Sequence, residues 1–233
     1  MQLSRVVVFG VLAVLMAACA PQGRSEDQGR LPVTAEDQAR ITQRYVIEDT
    51  SDDALAQSLF MDFRGGNWSR QQWGCMSDGT CEASPGGVMT VSQDLPAGLY
   101  SRFVMPPTFS VEVEVRLAGA PTEQGGAGLA LLNPGGDGVV LGRAWAEGQQ
   151  FMGAGQVKAR ALHSDDTASV PSEAQSLRLR IEGASGRATC SYEQDGSWHE
   201  LGSFPLPEGM VRLYLLTKGG SSAVFSECAI DVE

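Results

Sequence analysis

The stretch TFSVEVEVRL, residues 108–117, carries the clearest fold signal in this chain. Every second side chain in it is apolar: Phe109, Val111, Val113, Val115 and Leu117. A period of two places one face of a β-strand in a core and the other in water. The same alternation recurs in residues 177–182 and 224–232, so the pattern predicts an all-β domain.

Other short segments have the composition of strands and are separated by residues that favour turns. The turns include Asp195-Gly196, Gly219-Gly220 and the run from Pro134 to Gly138. The further candidate strands are residues 87–92, 99–104, 128–133, 139–145, 156–162, 187–194, 198–204 and 210–217. About a dozen strands without helices between them predict a two-sheet antiparallel β-sandwich of the jelly-roll type over residues 58–233.

The amino-terminal segment has the layout of an export signal. Arg5 precedes the apolar run of residues 6–15, which is too short to span a bilayer. The run ends in Met16-Ala17-Ala18-Cys19, which resembles the lipobox of bacterial lipoproteins. The resemblance implies a signal peptide over residues 1–18 and a Cys19 that carries diacylglycerol and an N-acyl group such as palmitate. An ordinary cleaved signal is the alternative interpretation.

Residues 19–57 are predicted to connect the lipid to the domain. Residues 20–33 lack apolar periodicity, as a flexible tether does, and Thr34 is a candidate cap for a short helix over Ala35–Val46. Ala20 stands where an Asp would retain a lipoprotein at the inner membrane. We therefore expect the protein at the outer membrane, facing the periplasm or the cell surface.

The charge of the chain excludes one class of partner. Removing residues 1–18 removes one Arg and no acid, so the formal net charge changes from −11 to −12. Phosphate binding needs clustered cations, and no nucleic-acid partner is therefore expected. The expected partners are the membrane, through the lipid, and a glycan or a cell-envelope protein.

Four cysteines follow Cys19, and an even number in an oxidising compartment predicts two disulfides. Of the three pairings, we expect Cys75–Cys81 and Cys190–Cys228. A zinc site is the alternative, but the chain has no C-x-x-C and only two histidines, so no metal is expected there. Asp165 and Asp166, in a predicted polar loop beside His163, are candidate calcium ligands.

Several segments, in this order, resemble the concanavalin A-like lectin/glucanase superfamily. They are residues 60–63 with Trp68 and Trp73 soon after, residues 87–91, residues 108–117, residues 179–183 and residues 192–202. The last segment is the most telling, because a strand followed by a hairpin with Asp195-Gly196 places Trp198 over the sheet edge in such domains. The resemblance spans residues 58–233 and implies the concanavalin A-like form of the sandwich.

Enzymes of this superfamily use paired carboxylates in a Glu-x-Asp-x-x-Glu arrangement on one strand. The nearest match here begins at Glu112, but Glu114 replaces the Asp and Leu117 replaces the second Glu. Nor is there a Gly-x-Ser-x-Gly elbow for a serine hydrolase. No catalytic residue is therefore assigned, and we expect the protein not to be an enzyme.

Ligand binding is the remaining class of function, because aromatic side chains on a rigid sheet can stack against sugars or contact a protein. The candidates are Arg143 with Trp145 on one strand and Arg212 with Tyr214 on another; core packing is the alternative for each aromatic. The sequence thus favours a non-catalytic module that binds glycan or an envelope protein. A divergent glycoside hydrolase of the same fold and a structural envelope lipoprotein without a ligand are the alternatives.

Overall fold

A computed structural model describes residues 54–66, 68–76, 81–92, 97–119, 124–146, 149–158, 161–171 and 176–233. Within these residues the chain forms strands and one 3₁₀ turn, Arg64–Gly66. The strands are β1 (Leu59–Asp62), β2 (Trp73–Cys75), β3 (Cys81–Ser84), β4 (Gly87–Val91), β5 (Ala97–Ser101), β6 (Phe109–Gly119), β7 (Gln124–Leu132), β8 (Gly138–Ala146), β9 (Gln149–Lys158), β10 (Ala161–Pro171), β11 (Ser176–Ala184), β12 (Arg187–Gln194), β13 (Ser197–Pro205), β14 (Arg212–Lys218) and β15 (Ser222–Val232).

The strands form two antiparallel sheets that face each other. Sheet I has the order β13-β12-β11-β6-β15-β4-β3, and β1 pairs with β15 as well. Sheet II has the order β10-β9-β8-β7-β14-β5-β2. The predicted all-β, two-sheet antiparallel sandwich is therefore confirmed.

Strand β6, which contains the alternating stretch of residues 108–117 from Phe109 onward, lies in the middle of sheet I. Its Val111 pairs with Ile181 of β11 on one side and with Ile230 of β15 on the other. All three side chains are fully buried and belong to the main core between the sheets. The apolar residues of the alternating stretch are therefore the ones that β6 contributes to the inner face of sheet I.

The hairpin that joins β12 to β13 lies where the sequence predicts it. Asp195 and Gly196 have φ values of 54° and 74°, which suit the two central positions of a type I′ turn. β13 is the edge strand of sheet I. The Arg180 guanidinium lies 3.8 Å from the centre of the Trp198 ring on the outer face.

The domain begins earlier than the sequence predicts. Ala56, assigned above to the tether, is 6% exposed and donates its N–H to the Val104 carbonyl oxygen at 2.8 Å. Residues 54–57 are therefore part of the sandwich. The predicted signal peptide, the predicted lipidation site Cys19 and the predicted helix Ala35–Val46 lie outside the described residues.

The predicted strand over residues 156–162 is wrong. The chain instead completes β9 at Lys158 and begins β10 at Ala161. Gly153 and Gly155 hide the alternation of β9, because a missing side chain gives no polarity signal. The predicted polar loop around His163 lies within β10, where the pairing with β9 shifts register between Leu162 and Thr167.

The outer face of sheet II carries a second apolar cluster. It consists of Ala130, Leu132, Val140, Ala144, Phe151, Val157, Tyr214 and Leu216, and each is at most 7% exposed. None of the described strands packs on this side of sheet II. Strands β7, β8 and β14 are accordingly apolar on both faces, as central strands covered on two sides are.

A row of glycines crosses this outer face at right angles to the strands. Gly128 of β7 pairs with Gly142 of β8, which pairs with Gly153 of β9. A Cβ atom at Gly128 would lie 2.2 Å from the Leu141 carbonyl oxygen, so no side chain fits there without a shift of the backbone. We call this row, with the apolar side chains beside it, the glycine trough.

The predicted disulfide Cys75–Cys81 is confirmed, with its Cα atoms 6.3 Å apart. The predicted disulfide Cys190–Cys228 is wrong, because both residues are free, buried thiols. Cys190 lies on β12 and Cys228 on β15, three strand spacings away in the same sheet. Three spacings amount to about 14 Å, which is beyond the reach of a disulfide.

We expect these two thiols to react only when the domain unfolds. Burial raises the pKa of both the Cys190 and the Cys228 thiol, so the reactive thiolate is scarce at neutral pH. A chromogenic thiol reagent should therefore modify neither residue in the folded, unreduced domain and both in denaturant. Rapid modification of either cysteine in the folded state would contradict this burial.

Candidate ligand-binding cleft

A cleft of about 330 Å³ lies where the chain crosses from sheet I to sheet II. Its lining comes from β1 and from the segment that leads to β2: Met61, Asp62, Phe63, Trp68, Ser69 and Gln72. β1 belongs to sheet I and β2 is the edge strand of sheet II. The cleft is thus open at one margin of the sandwich and rests on both sheets.

Packed aromatic rings hold the floor of the cleft. The Trp73 ring meets the rings of Phe63 and Phe103 edge to face, with centroids 5.8 and 5.9 Å apart. The indole N–H of Trp73 also points at the Met61 sulfur, 2.8 Å away. Edge-to-face contacts of this kind fix ring orientation, so the floor is rigid.

One backbone turn sets the positions of the polar side chains at the rim. The N–H groups of Gln72 and Trp73 donate to the Ser69 carbonyl oxygen at 3.1 and 2.9 Å. The Gln72 carbonyl oxygen accepts from the Arg102 N–H at 2.8 Å, which ties the turn to the end of β5. Trp68 precedes this turn and is half-buried, with the Arg70 guanidinium 6.0 Å from its ring.

Asp62 is the charged group of the cleft. Its Oδ1 accepts from the Arg64 Nε at 2.8 Å and from the Arg64 backbone N–H at 2.9 Å. Arg64 also bonds Glu227 of β15, which fixes the guanidinium to sheet I. The hydrogen bond from the Arg64 side chain holds the pKa of Asp62 below its ordinary value.

The Asp62 carboxylate should therefore keep its charge to a lower pH than a free Asp does. An Arg64→Gln variant removes the cation, so we expect the titration midpoint of Asp62 to move upward, toward the ordinary value. Carboxyl-carbon NMR chemical shifts measured against pH would show this. Arg70→Gln is the control and should leave the midpoint unchanged; equal midpoints in all three proteins would contradict the assignment.

The binding residues predicted from the sequence do not form one site. Arg143 and Trp145 of β8 share the inner face of sheet II with Leu141. Arg212 and Tyr214 of β14 lie on the outer face. The sheet separates the two pairs, so they cannot line a common surface.

Each predicted residue has its own surroundings. Arg212 donates to the carbonyl oxygens of Ser101 and Arg102, so it fastens the end of β5 to β14. The Tyr214 ring lies 6.2 Å from the Tyr100 ring. Trp145 is half-buried at the margin of the core.

Arg143 is 2% exposed, and burial lowers its pKa. Among the described residues, its Nε and Nη2 atoms are buried and have no hydrogen-bond partner, and neither has the Oε1 of Gln150 on the adjacent strand. Buried polar atoms without a protein partner commonly form hydrogen bonds with ordered water. The low exposure of Arg143 makes it a poor contact for a large ligand from solution.

The acidic row on β6 points away from the core, as predicted. Glu112 accepts hydrogen bonds from Arg178 at 3.0 Å and from the Arg180 Nε at 2.8 Å. Glu114 accepts from the Ser226 hydroxyl at 2.7 Å. The nearest match to a catalytic carboxylate pair is thus engaged in cross-strand pairing on sheet I.

No group of three His, Cys, Asp or Glu side chains suited to a metal occurs in the part of the chain that the structure describes. The side chains of the candidate calcium ligands, Asp165 and Asp166, lie outside the described residues. Within these described residues, no helix has the length and apolar composition needed to span a bilayer.

Sequence reasoning overlooked the cleft residues as a binding site. Trp68 and Asp62 contribute only to the superfamily resemblance in the sequence, and no sequence pattern assigns a role to Ser69 or Gln72. One feature of the sequence could have indicated the site: Trp68 lies in a polar segment in which apolar and polar residues do not alternate. A Trp in such a segment is not expected to be a core residue on a strand. Asp62 and Trp68 line the same cleft because the chain crosses between the sheets there. No local sequence pattern predicts this crossover.

The described residues thus define a two-sheet antiparallel β-sandwich with a cleft at one margin. No known sequence family and no curated protein matches the chain. Solved structures do resemble it. The Bacteroides ovatus xyloglucan-locus protein GH43B has a TM-score of 0.64 at 14% identity, over 76% of this chain and 40% of that one.

Two further structures are similar. Xylan β-1,4-xylosidase from Bacillus halodurans C-125 has a TM-score of 0.59 at 13% identity, over 91% of this chain and 41% of that one. Crh5 transglycosylase, in complex with NAG, has a TM-score of 0.59 at 13% identity, over 76% of this chain and 84% of that one. This chain spans less than half of the two larger proteins, and at such identities the likeness shows the fold alone.

Proposed function

We propose that this protein is a non-catalytic glycan-binding module that is held to a membrane by lipid on Cys19. One observation carries the binding function: the cleft combines the Trp68 ring with the polar side chains of Asp62, Ser69 and Gln72. A sugar has an apolar ring face and hydroxyl edges, so it needs an aromatic surface beside hydrogen-bonding groups. The cleft offers both on a rigid floor.

The similar structures support glycan as the class of ligand. Their names refer to xyloglucan, to xylan and to a transglycosylase in complex with NAG. An envelope protein is the less supported partner, because a cleft of about 330 Å³ is small for a protein surface to fill. A purely structural lipoprotein would have no need of such a cleft.

The outer face of sheet I favours binding over catalysis. Glycoside hydrolysis commonly needs one protonated and one ionised carboxyl group on either side of the scissile bond. Glu112 is instead bonded by two guanidinium groups, and Glu114 is bonded by Ser226. A divergent glycoside hydrolase remains the second candidate, since the similar structures include enzymes.

The proposal is tested by titration calorimetry with three soluble probes: xylo-oligosaccharides, xyloglucan oligosaccharides and N-acetylglucosamine oligomers. We expect one probe class to bind, and Trp68→Ala to weaken that binding about tenfold, the loss expected for one stacked ring. Trp198→Ala removes a ring from the outer face of sheet I and serves as the matched control. It should leave the affinity unchanged.

Three results would overturn the proposal. Absence of binding to all three probes would favour the structural lipoprotein. Equal affinity in the Trp68→Ala variant would remove the cleft as the site. Release of reducing sugar from a bound probe, abolished by Glu114→Gln, would establish the hydrolase instead.

A further inference from the structure

Arg143 is a buried cation on the inner face of sheet II. It lies on β8, is 2% exposed and shares its face with the core residue Leu141. Two of its three guanidinium nitrogens, Nε and Nη2, have no hydrogen-bond partner among the described residues. A guanidinium stays protonated in proteins, so burial does not remove its charge. An unpaired charge in a core is strongly destabilising unless another group compensates it.

The described residues that face Arg143 from sheet I supply no carboxylate. Strands β11, β12 and β13 lie opposite β8. β11 turns aliphatic side chains inward, from Leu177 to Ile181. β12 turns Cys190 and Tyr192 inward, and β13 places His199 against the Tyr192 ring. Because none of these residues is Asp or Glu, they form no ion pair with the guanidinium.

Gln150 of β9 brings a second polar group to the same place. It pairs with Trp145, whereas Arg143 pairs with Met152, so Gln150 and Arg143 are diagonal neighbours on the inner face. Side chains of this length reach each other from diagonal positions. The Gln150 Oε1 is buried and has no partner in the described part of the chain. Rotating the amide by 180° exchanges this oxygen for an N–H donor within the same shape.

We propose that Arg143 and Gln150 bind one small monovalent anion, of halide size, between the two sheets. The anion accepts hydrogen bonds from the unpartnered guanidinium nitrogens and from the rotated amide. On the adjacent strand β7, Ala127 pairs with Arg143 and Gly125 with Trp145, so no long side chain from β7 occupies this position. Ordered water would satisfy the donors but leave the charge of Arg143 uncompensated. The inference does not depend on glycan binding.

The anion site is tested by thermal unfolding of the full chain in potassium bromide and in potassium gluconate at equal ionic strength. Gluconate is too large for a site between the sheets. Bromide at about ten times its Kd should raise the Tm of the wild-type protein by about 3–5 °C, because it binds the folded state alone. Arg143→Met should abolish this rise. Arg180→Met, which removes a guanidinium bonded to Glu112 on the outer face of sheet I, is the matched control and should retain it.

A second measurement needs no variant. A crystal of the wild-type protein soaked in bromide should show an anomalous scattering peak within hydrogen-bonding distance of the Arg143 guanidinium. Absence of that peak, with water in its place, would overturn the proposal and make water the occupant. An equal rise in Tm in the wild-type and Arg143→Met proteins would show a general salt effect, and no rise in the wild-type protein would exclude the anion.

Discussion

Replacing Trp73 by alanine is expected to destabilise the domain by about 3–5 kcal/mol, the usual loss for a large buried aromatic side chain. Trp73 is 1% exposed and joins Phe63, Phe103 and Met61 into one cluster. Removing a fully buried ring that two other aromatic rings contact leaves a cavity between sheet II and the segment before β2. Urea unfolding, followed by far-UV circular dichroism, measures the change.

Trp198→Ala is the matched control for this loss. Trp198 is partly exposed at the edge of sheet I, and its defined contact is with the Arg180 guanidinium. A cation–π contact at an exposed site contributes about 0.5–1 kcal/mol. If both variants lost the same small amount, Trp73 would not be the centre of the cluster that supports the cleft.

Replacing Cys19 by serine is expected to release the protein from membranes almost completely. The proposed anchor joins a thioether-linked diacylglycerol to an N-acyl chain, and each buried methylene contributes about 0.8 kcal/mol. Serine cannot form the thioether, so the variant should lose both the lipid and lipoprotein-type processing. Fractionation of cells, with mass spectrometry of the amino-terminal peptide, would measure both effects.

Ala20→Ser is the control for this substitution, because it alters the neighbouring residue and leaves the thiol in place. It should remain in the membrane fraction with its acyl chains. The Cys75–Cys81 disulfide supports the same compartment, since disulfides persist where the environment is oxidising. A Cys19→Ser protein that stayed on the membrane with unchanged processing would overturn the lipid anchor.

The sequence predicts single strands well because alternation is local. Residues 187–194 are predicted and observed as the same strand, and the Asp195-Gly196 turn follows from two positive φ angles. Strand β2 escapes prediction because three edge residues are too few to show a period. In β9, glycines replace the side chains that would have shown it.

The alternation along one strand shows which of its residues share a face. It does not show which residues of another strand lie on that same face of the sheet. Cys190 and Cys228 both face inward, yet they lie three strand spacings apart in one sheet rather than opposite each other across the core. The predicted pair on β8 and the predicted pair on β14 lie on opposite faces of sheet II. Register and strand order come from long-range pairing, so no local pattern predicts either arrangement.

The first described strand, β1, pairs with the last one, β15. Beyond the end of this pairing, the Val232 N–H donates to the Ser58 hydroxyl at 3.0 Å. An epitope tag on the carboxyl end would consequently emerge beside the start of β1, about 20 Å along the strand from Asp62. A folded tag wider than this distance would crowd a sugar that approaches Trp68, so labels for binding studies belong in the Asp195-Gly196 hairpin instead.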